Sequence, residues 1–129
     1  MAIRLALDTN RYVDFARGDP MVVDALEDAE TVYVPLIVLG KLRAGFALGS
    51  RAAANEGGLR RFLLRPGVEV LIPDEQTTHH YAMVYRQLRE QGTPIPTNDM
   101  WIAALALQHG LVLLARDEHF DHLPQLPRL

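Results

Sequence analysis

The chain has 129 residues, 49% of them hydrophobic, a formal net charge of −3 and no cysteine. That length and apolar fraction suffice for one domain over 1–129 with a core that needs no staples, and the missing cysteines exclude a disulfide framework and thiolate-ligated zinc. The mild negative charge excludes a general nucleic-acid-coating protein but leaves room for a local basic rim. No secretory pattern precedes the first strand, and charges interrupt each apolar run before it reaches spanning length, so a soluble cytoplasmic protein with no membrane contact is expected. The basic residues are lopsided: all are arginine except Lys41.

Ile3 to Leu7 is an apolar run broken only by Arg4 and stopped by Asp8-Thr9-Asn10, which reads as a strand with Asp8 at its carboxyl end. Tyr12, Val13, Phe15 and Ala16 recur at helical spacing up to Gly18. Asp19-Pro20 then opens a surface helix over Met21 to Ala29, as N-cap and first-turn proline. Thr31 to Pro35 is a β-rich second strand leading into a helix from Leu36 to about Leu48. On that helix Ile37, Lys41, Ala44 and Leu48 share a stripe, which sets the lone lysine on an apolar face; a stem that snorkels to water is its ordinary fate. A helical segment over Arg51 to Leu64, weakened by Gly57-Gly58, ends among Arg60, Arg61 and Arg65, either a solvated face or a phosphate-meeting cluster. Val68 to Ile72 is a third strand, and Asp74 to Gln91 an amphipathic helix with Tyr81, Val84, Tyr85 and Leu88 at core spacing.

The stretch from Pro94 to Leu107 organises the rest. Two prolines bar a helix before Pro96, Thr97 or Asn98 is placed to cap one, and every residue from Met100 to Leu107 is apolar, so a helix buried all round is expected. Asp99, the only formal charge between Glu90 and Arg116, lies in its first turn. It serves either the helix N-terminus or, carried into a core, a partner or a metal ion. Gly110 ends the helix, and Leu111 to Leu114 is a fourth buried strand that stops at Arg116-Asp117. Glu118 to Leu123 can form a helical turn, with Asp117 either its cap or an acid left at the strand's end for a site, and Leu123 to Leu129 offers at most a short fifth strand interrupted by Pro124 and Pro127. Strands alternating with helices specify an α/β domain with a mostly parallel sheet of four to five strands flanked by helices.

In such sheets ligands sit beyond the carboxyl ends of the strands. Asp8 and Asp117 fall on that edge, and Asp99 heads the helix that leads into the fourth strand. Carboxylates converging without a cation repel one another, so their joint placement points to a metal ion or to perturbed pKa values. All-oxygen donors favour magnesium or manganese, which keep several waters and leave room for a phosphate oxygen; the reaction class is metal-assisted phosphodiester hydrolysis. Two rival constellations are weaker. His119 and His122, with His109 nearby in sequence, have no cysteine companion and read as solvated imidazoles rather than zinc ligands. Asp8-Thr9-Asn10 has the opening of an aspartyl-phosphate phosphatase, but that chemistry needs a second acid where Asn10 stands.

Four segments together resemble the PIN-domain ribonucleases, specifically VapC-type toxins: Leu-Asp-Thr-Asn at 7–10, Val-Pro-Leu-Ile-Val-Leu-Gly-Lys-Leu-Arg-Ala-Gly-Phe at 34–46, Pro-Thr-Asn-Asp-Met-Trp-Ile-Ala-Ala at 96–104 and Ala-Arg-Asp-Glu-His-Phe at 115–120. The resemblance covers nearly the whole chain in the right order. It implies a PIN-like three-layer sandwich and a magnesium- or manganese-dependent endoribonuclease with Asp8, Asp99 and Asp117 as metal-binding acids. Thr97 and Asn10 would support them, with Arg116, which borders the site, and Arg43 as substrate-binding residues. It also implies an RNA substrate of the transfer or ribosomal class, a homodimer, a cognate antitoxin that blocks the site, and no DNA contact by the chain itself. One position departs from the pattern. The family places a fourth acid, glutamate, where this chain has Lys41, one base change away, so an otherwise active toxin impaired by Lys41 is expected. The alternative is a PIN-fold protein that no longer cleaves but binds RNA or sequesters an antitoxin.

Overall fold

The computed structural model describes residues 2–129. Four short aliphatic segments form one parallel sheet: β1 (Arg4–Leu7), β2 (Thr31–Pro35), β3 (Val68–Leu71) and β4 (Val112–Leu114), in the order β3-β2-β1-β4. Parallel neighbours cannot be joined by a tight turn, so the chain returns through helices. These are α1 (Thr9–Ala16), α2 (Pro20–Asp28), α3 (Leu36–Leu48), α4 (Ala52–Leu63), α5 (Glu75–Gln91) and α6 (Thr97–His109), with a short 3-10 helix over Glu118–His122. Central β1 has Leu5, Ala6 and Leu7 fully buried, as a strand covered on both faces must. Among the described residues no helix is long and apolar enough to cross a membrane.

Helix α6 is buried through its middle, with Ile102, Ala103, Ala104, Leu105 and Ala106 all without solvent exposure, but Trp101 and Leu107 stay partly exposed, so it is not buried all round. Burying Ile102 and Leu105 alone contributes roughly 1.5–3 kcal/mol each. The helix begins at Thr97 with Pro96 in the cap position, so neither Thr97 nor Asn98 caps it. Its first intrahelical bond runs from Met100 N–H to Pro96 O at 3.1 Å. Gly110 ends it at φ 63°, a left-handed conformation that favours glycine, and Leu111 N–H turns back to Ala106 O at 2.9 Å. That bond is why β4 starts at Val112 rather than Leu111.

Other boundaries move for similar local reasons. α2 starts at Pro20, whose missing N–H is no loss in a first turn, under a cap in which Asp19 accepts from Met21 and Val22 N–H. β3 stops at Leu71, and Ile72 is exposed. On α5 the buried stripe is Thr77, Val84 and Leu88; Tyr85 lies off it and is 47% exposed, not a core residue. The tail from Leu123 to Leu129 is not a fifth strand. Pro124 and Pro127 remove ladder donors, leaving a single bridge between Leu113 and Arg128, with Leu113 N–H on Pro127 O at 2.8 Å and Leu129 N–H on Leu113 O at 3.0 Å.

Candidate metal centre

β1 and β4 are neighbours, and Asp8 N–H donates to Leu114 O at 3.1 Å, so the chain leaves both strands side by side at one edge. Asp8 stands in the cap position of α1 but makes no capping bond. It is 3% exposed, and its Oδ1 is buried with no hydrogen-bond partner, as is Oγ1 of the adjacent Thr9. Burial pushes the Asp8 carboxyl above its ordinary pKa; the Thr9 N–H and Lys41 oppose the rise, while the negative charges of Asp99 and Asp117 add to it. A buried carboxylate oxygen without a partner is expensive, and folds that keep one have a use for it.

Asp99, also 3% exposed, enters from the first turn of α6. Its Oδ2 lies 2.9 Å from His119 Nδ1, and its Oδ1 lies 4.0 Å from Lys41 Nζ. Asp117 caps the 3-10 helix by accepting the His119 N–H on Oδ1 at 2.9 Å, and the same oxygen lies 2.9 Å from His119 Nδ1. One ligand atom from each of Asp99, Asp117 and His119 falls within 4.8 Å of the others. The loop that carries Asp117 is held from the C-terminal tail: Arg128 donates to the carbonyls of Ala115 at 2.9 Å and Asp117 at 3.1 Å, and pairs with Asp121.

Lys41 comes from the apolar stripe of α3 with its side chain 36% exposed, and its ammonium faces Asp99 and acts on the charge of Asp8 rather than escaping wholly to water. Of the three histidines weighed from sequence, only His119 meets the acids; His122 is exposed, and His109 contributes its carbonyl to Arg4. The imidazole of His119, expected to be solvated, is 44% exposed but turns its Nδ1 inward to Asp99. The 3-10 turn folds the residue two after Asp117 back over it, and its other partner, Asp99, comes from 20 residues away. Asn10 and Thr97 are both exposed; the hydroxyl that turns inward beside Asp8 is that of Thr9. Arg116, half-exposed, pairs with Asp14 at 3.4 Å, and Arg43 forms a two-pronged pair with Glu56 at 2.9 and 3.1 Å, holding that carboxyl below its ordinary pKa.

The sequence profile of the PIN domain matches residues 5–126. Ribonuclease VapC1 of Haemophilus influenzae (strain R2866) is 34% identical over 126 residues, 93% of this chain and 92% of its own. Ribonuclease VapC4 of Mycobacterium tuberculosis is 32% identical over 93 residues, 72% of each chain. The solved structure of VapBC2 from Rickettsia felis bound to a DNA fragment from their promoter superposes with a TM-score of 0.87 over 98% of both chains at 24% identity, a likeness of fold.

Proposed function

Because the chain belongs to the PIN-domain family, in its branch of VapC-type ribonuclease toxins, we propose that Asp8, Asp99 and Asp117 hold a divalent ion, magnesium or manganese, for RNA phosphodiester hydrolysis. The observation that carries the reading is the orphaned, buried Oδ1 of Asp8, whose carboxyl also feels the charges of Asp99 and Asp117. Oxygen donors of this kind fit such an ion, and a bound cation would give that oxygen the partner it lacks. When bound, the ion supplies charge neutralisation at the scissile phosphate and activation of water. The protein's own part is positional. Asp8 is fixed by the end of β4 and Asp99 by the buried α6, while Asp117 is fixed by its cap and by Arg128. Arg116 and Arg43 meet the RNA backbone, Arg43 by exchanging Glu56 for phosphate.

Lys41 sets how well this works. Three carboxylates and one ammonium carry two net negative charges, so a divalent ion brings the group to neutrality. With glutamate at this position two negative charges would remain after the ion bound. A unit-charge pair at 4 Å is worth about 4 kcal/mol near a protein surface before water screens it. The ammonium therefore competes with the ion, metal binding is weak, and cleavage is impaired. The Lys41–Asp99 approach also favours the second reading, a PIN-fold protein that binds RNA or sequesters an antitoxin without cutting. In either case the chain functions in the cytoplasm as one PIN domain over 1–129, pairs with a second copy, and is blocked by a cognate antitoxin. Exposed Leu36 and Leu48 on α3 support such contacts. The substrate is an RNA of the transfer or ribosomal class.

The test is an RNA-cleavage assay beside thermal melts with and without magnesium, on the chain and on Lys41→Glu. The variant is expected to gain ribonuclease activity, to melt lower in chelator through carboxylate repulsion, and to recover with magnesium. Equal activity and equal magnesium response in both would remove Lys41 from the metal site.

A further inference from the structure

We infer that His119 is a fourth donor to this centre, and that its imidazole tilts the centre from magnesium toward manganese and the later divalent transition ions. The inference rests on the proposed metal-binding role of Asp8, Asp99 and Asp117, and it adds a nitrogen to what would otherwise be an all-oxygen set.

His119 Nδ1 lies 2.9 Å from Asp99 Oδ2 and 2.9 Å from Asp117 Oδ1. A ring nitrogen carries one proton, yet two carboxylate oxygens from different elements converge on it. The Asp117 oxygen is already satisfied by the backbone N–H of His119. Two carboxylates and a nitrogen gathered on one point is an arrangement that a cation would hold together. With the ring proton on Nε2, Nδ1 presents a lone pair to the space it shares with those oxygens, and a ring 44% exposed leaves Nε2 in reach of water. The second observation is independent of His119: Asp8, 97% buried, brings an unpartnered oxygen to the same group of charges.

The donor set decides the ion. Carboxylates and water suit magnesium and manganese about equally, whereas imidazole discriminates against magnesium and favours the ions further along the first-row series. His119 is placed for this by the five-residue 3-10 helix that Asp117 caps, whose tight turn brings the residue two positions on back to the capping carboxylate.

The experiment is a manganese titration followed by electron paramagnetic resonance, with magnesium as competitor, on the full chain and on Lys41→Glu, each with and without His119→Asn. Nitrogen modulation in the electron spin echo of bound manganese is expected with His119 and absent from His119→Asn. The asparagine variant is also expected to narrow the manganese-to-magnesium affinity ratio by about tenfold or more, the lower end of what even an outer-shell partner is worth to a metal site. The spin-echo signal is read on a protein with His119 intact, so misfolding of the variant cannot mimic it. Bound manganese without nitrogen modulation, displaced by Asp99→Asn but with an unchanged ratio in His119→Asn, overturns the role of His119 and leaves the three-carboxylate centre standing. No bound manganese in Lys41→Glu overturns both.

Discussion

Asp8 and Asp74 occupy the same place in the local grammar of the fold and end in opposite states. Each follows a strand of the parallel sheet, and each stands in the cap position of the next helix. Asp74 does what such an aspartate ordinarily does: it accepts from Thr77 N–H at 3.1 Å, its own N–H donates to Thr77 Oγ1 at 2.9 Å, and Gln108 of α6 donates to it at 3.0 Å. Those bonds, Gln108 first, hold its carboxyl below the ordinary pKa. Asp8 makes no cap, keeps a buried oxygen without a partner, and has its carboxyl pushed upward by burial. What separates the two is what distant elements bring: α6 supplies Asp74 with an amide and Asp8 with another carboxylate. A cap residue that does not cap marks the site more sharply than the acid count does.

The largest expected effect breaks the pair apart by function. In the Lys41→Glu protein, Asp8→Asn is expected to lower RNA cleavage by at least about a hundredfold, because a metal ligand should matter more than the outer-shell partners whose loss already costs up to that much. It should also abolish the magnesium-dependent rise in melting temperature. Asp74→Asn in the same protein should leave both intact. Cleavage assays and melts read the difference; equal losses in the two variants would mean that Asp8, like Asp74, is only structural.

That contrast also marks how far the sequence could be read. Thr31–Pro35 and Leu36–Leu48 are legible to the residue because β-branched content gives way to helical spacing at a proline. Asp8, Asp99 and Asp117 are legible as acids at one sheet edge because strand ends and a helix start are local signals. What Asp8 lacks is not legible, since a missing hydrogen bond depends on which groups arrive from α3, α6 and the loop after β4. His119 is missed for the same reason: its partner Asp99 is 20 residues away, and nothing in an isolated Asp-Glu-His predicts that approach. Arg43 looks like a free cation in sequence, yet Glu56, 13 residues on, already holds it.

A smaller effect sharpens the comparison through the neighbouring threonines. Thr77 is fully buried and completes the capping box, and its hydroxyl also lies 2.6 Å from Gln108 Oε1. Thr77→Val keeps the shape and strands the Asp74 N–H, so it should destabilise by about 1–3 kcal/mol. Thr9 has a buried hydroxyl with no partner, so Thr9→Val removes an unsatisfied group and should be neutral or stabilising. Chemical denaturation of both variants, in chelator, measures the difference. A Thr9→Val loss as large as that of Thr77→Val would show that the Thr9 hydroxyl has a partner after all.

The smallest effect is a difference in sign. An acid whose pKa is raised by folding, as for Asp8, binds more protons in the folded chain than in the unfolded one at pH values just above the ordinary carboxyl value of 3.8. Its contribution to stability therefore falls as pH rises through that window, and at neutral pH the ionised group is a burden on the metal-free fold. Asp74 has the opposite sign. Its lowered pKa gives stability that is fully present above 3.8 and is lost as pH falls through the folded-state value. In chelator, Asp8→Asn should melt higher than its parent at neutral pH and Asp74→Asn lower. Both differences should shrink toward zero in acid, where each parent carboxyl is protonated in both states. Melting curves from neutral pH down into the acid range test this directly. If Asp8→Asn melts below its parent at neutral pH without metal, then the ionised carboxylate has found a stabilising partner in the folded chain, with Lys41 the cation whose charge already favours its ionised form.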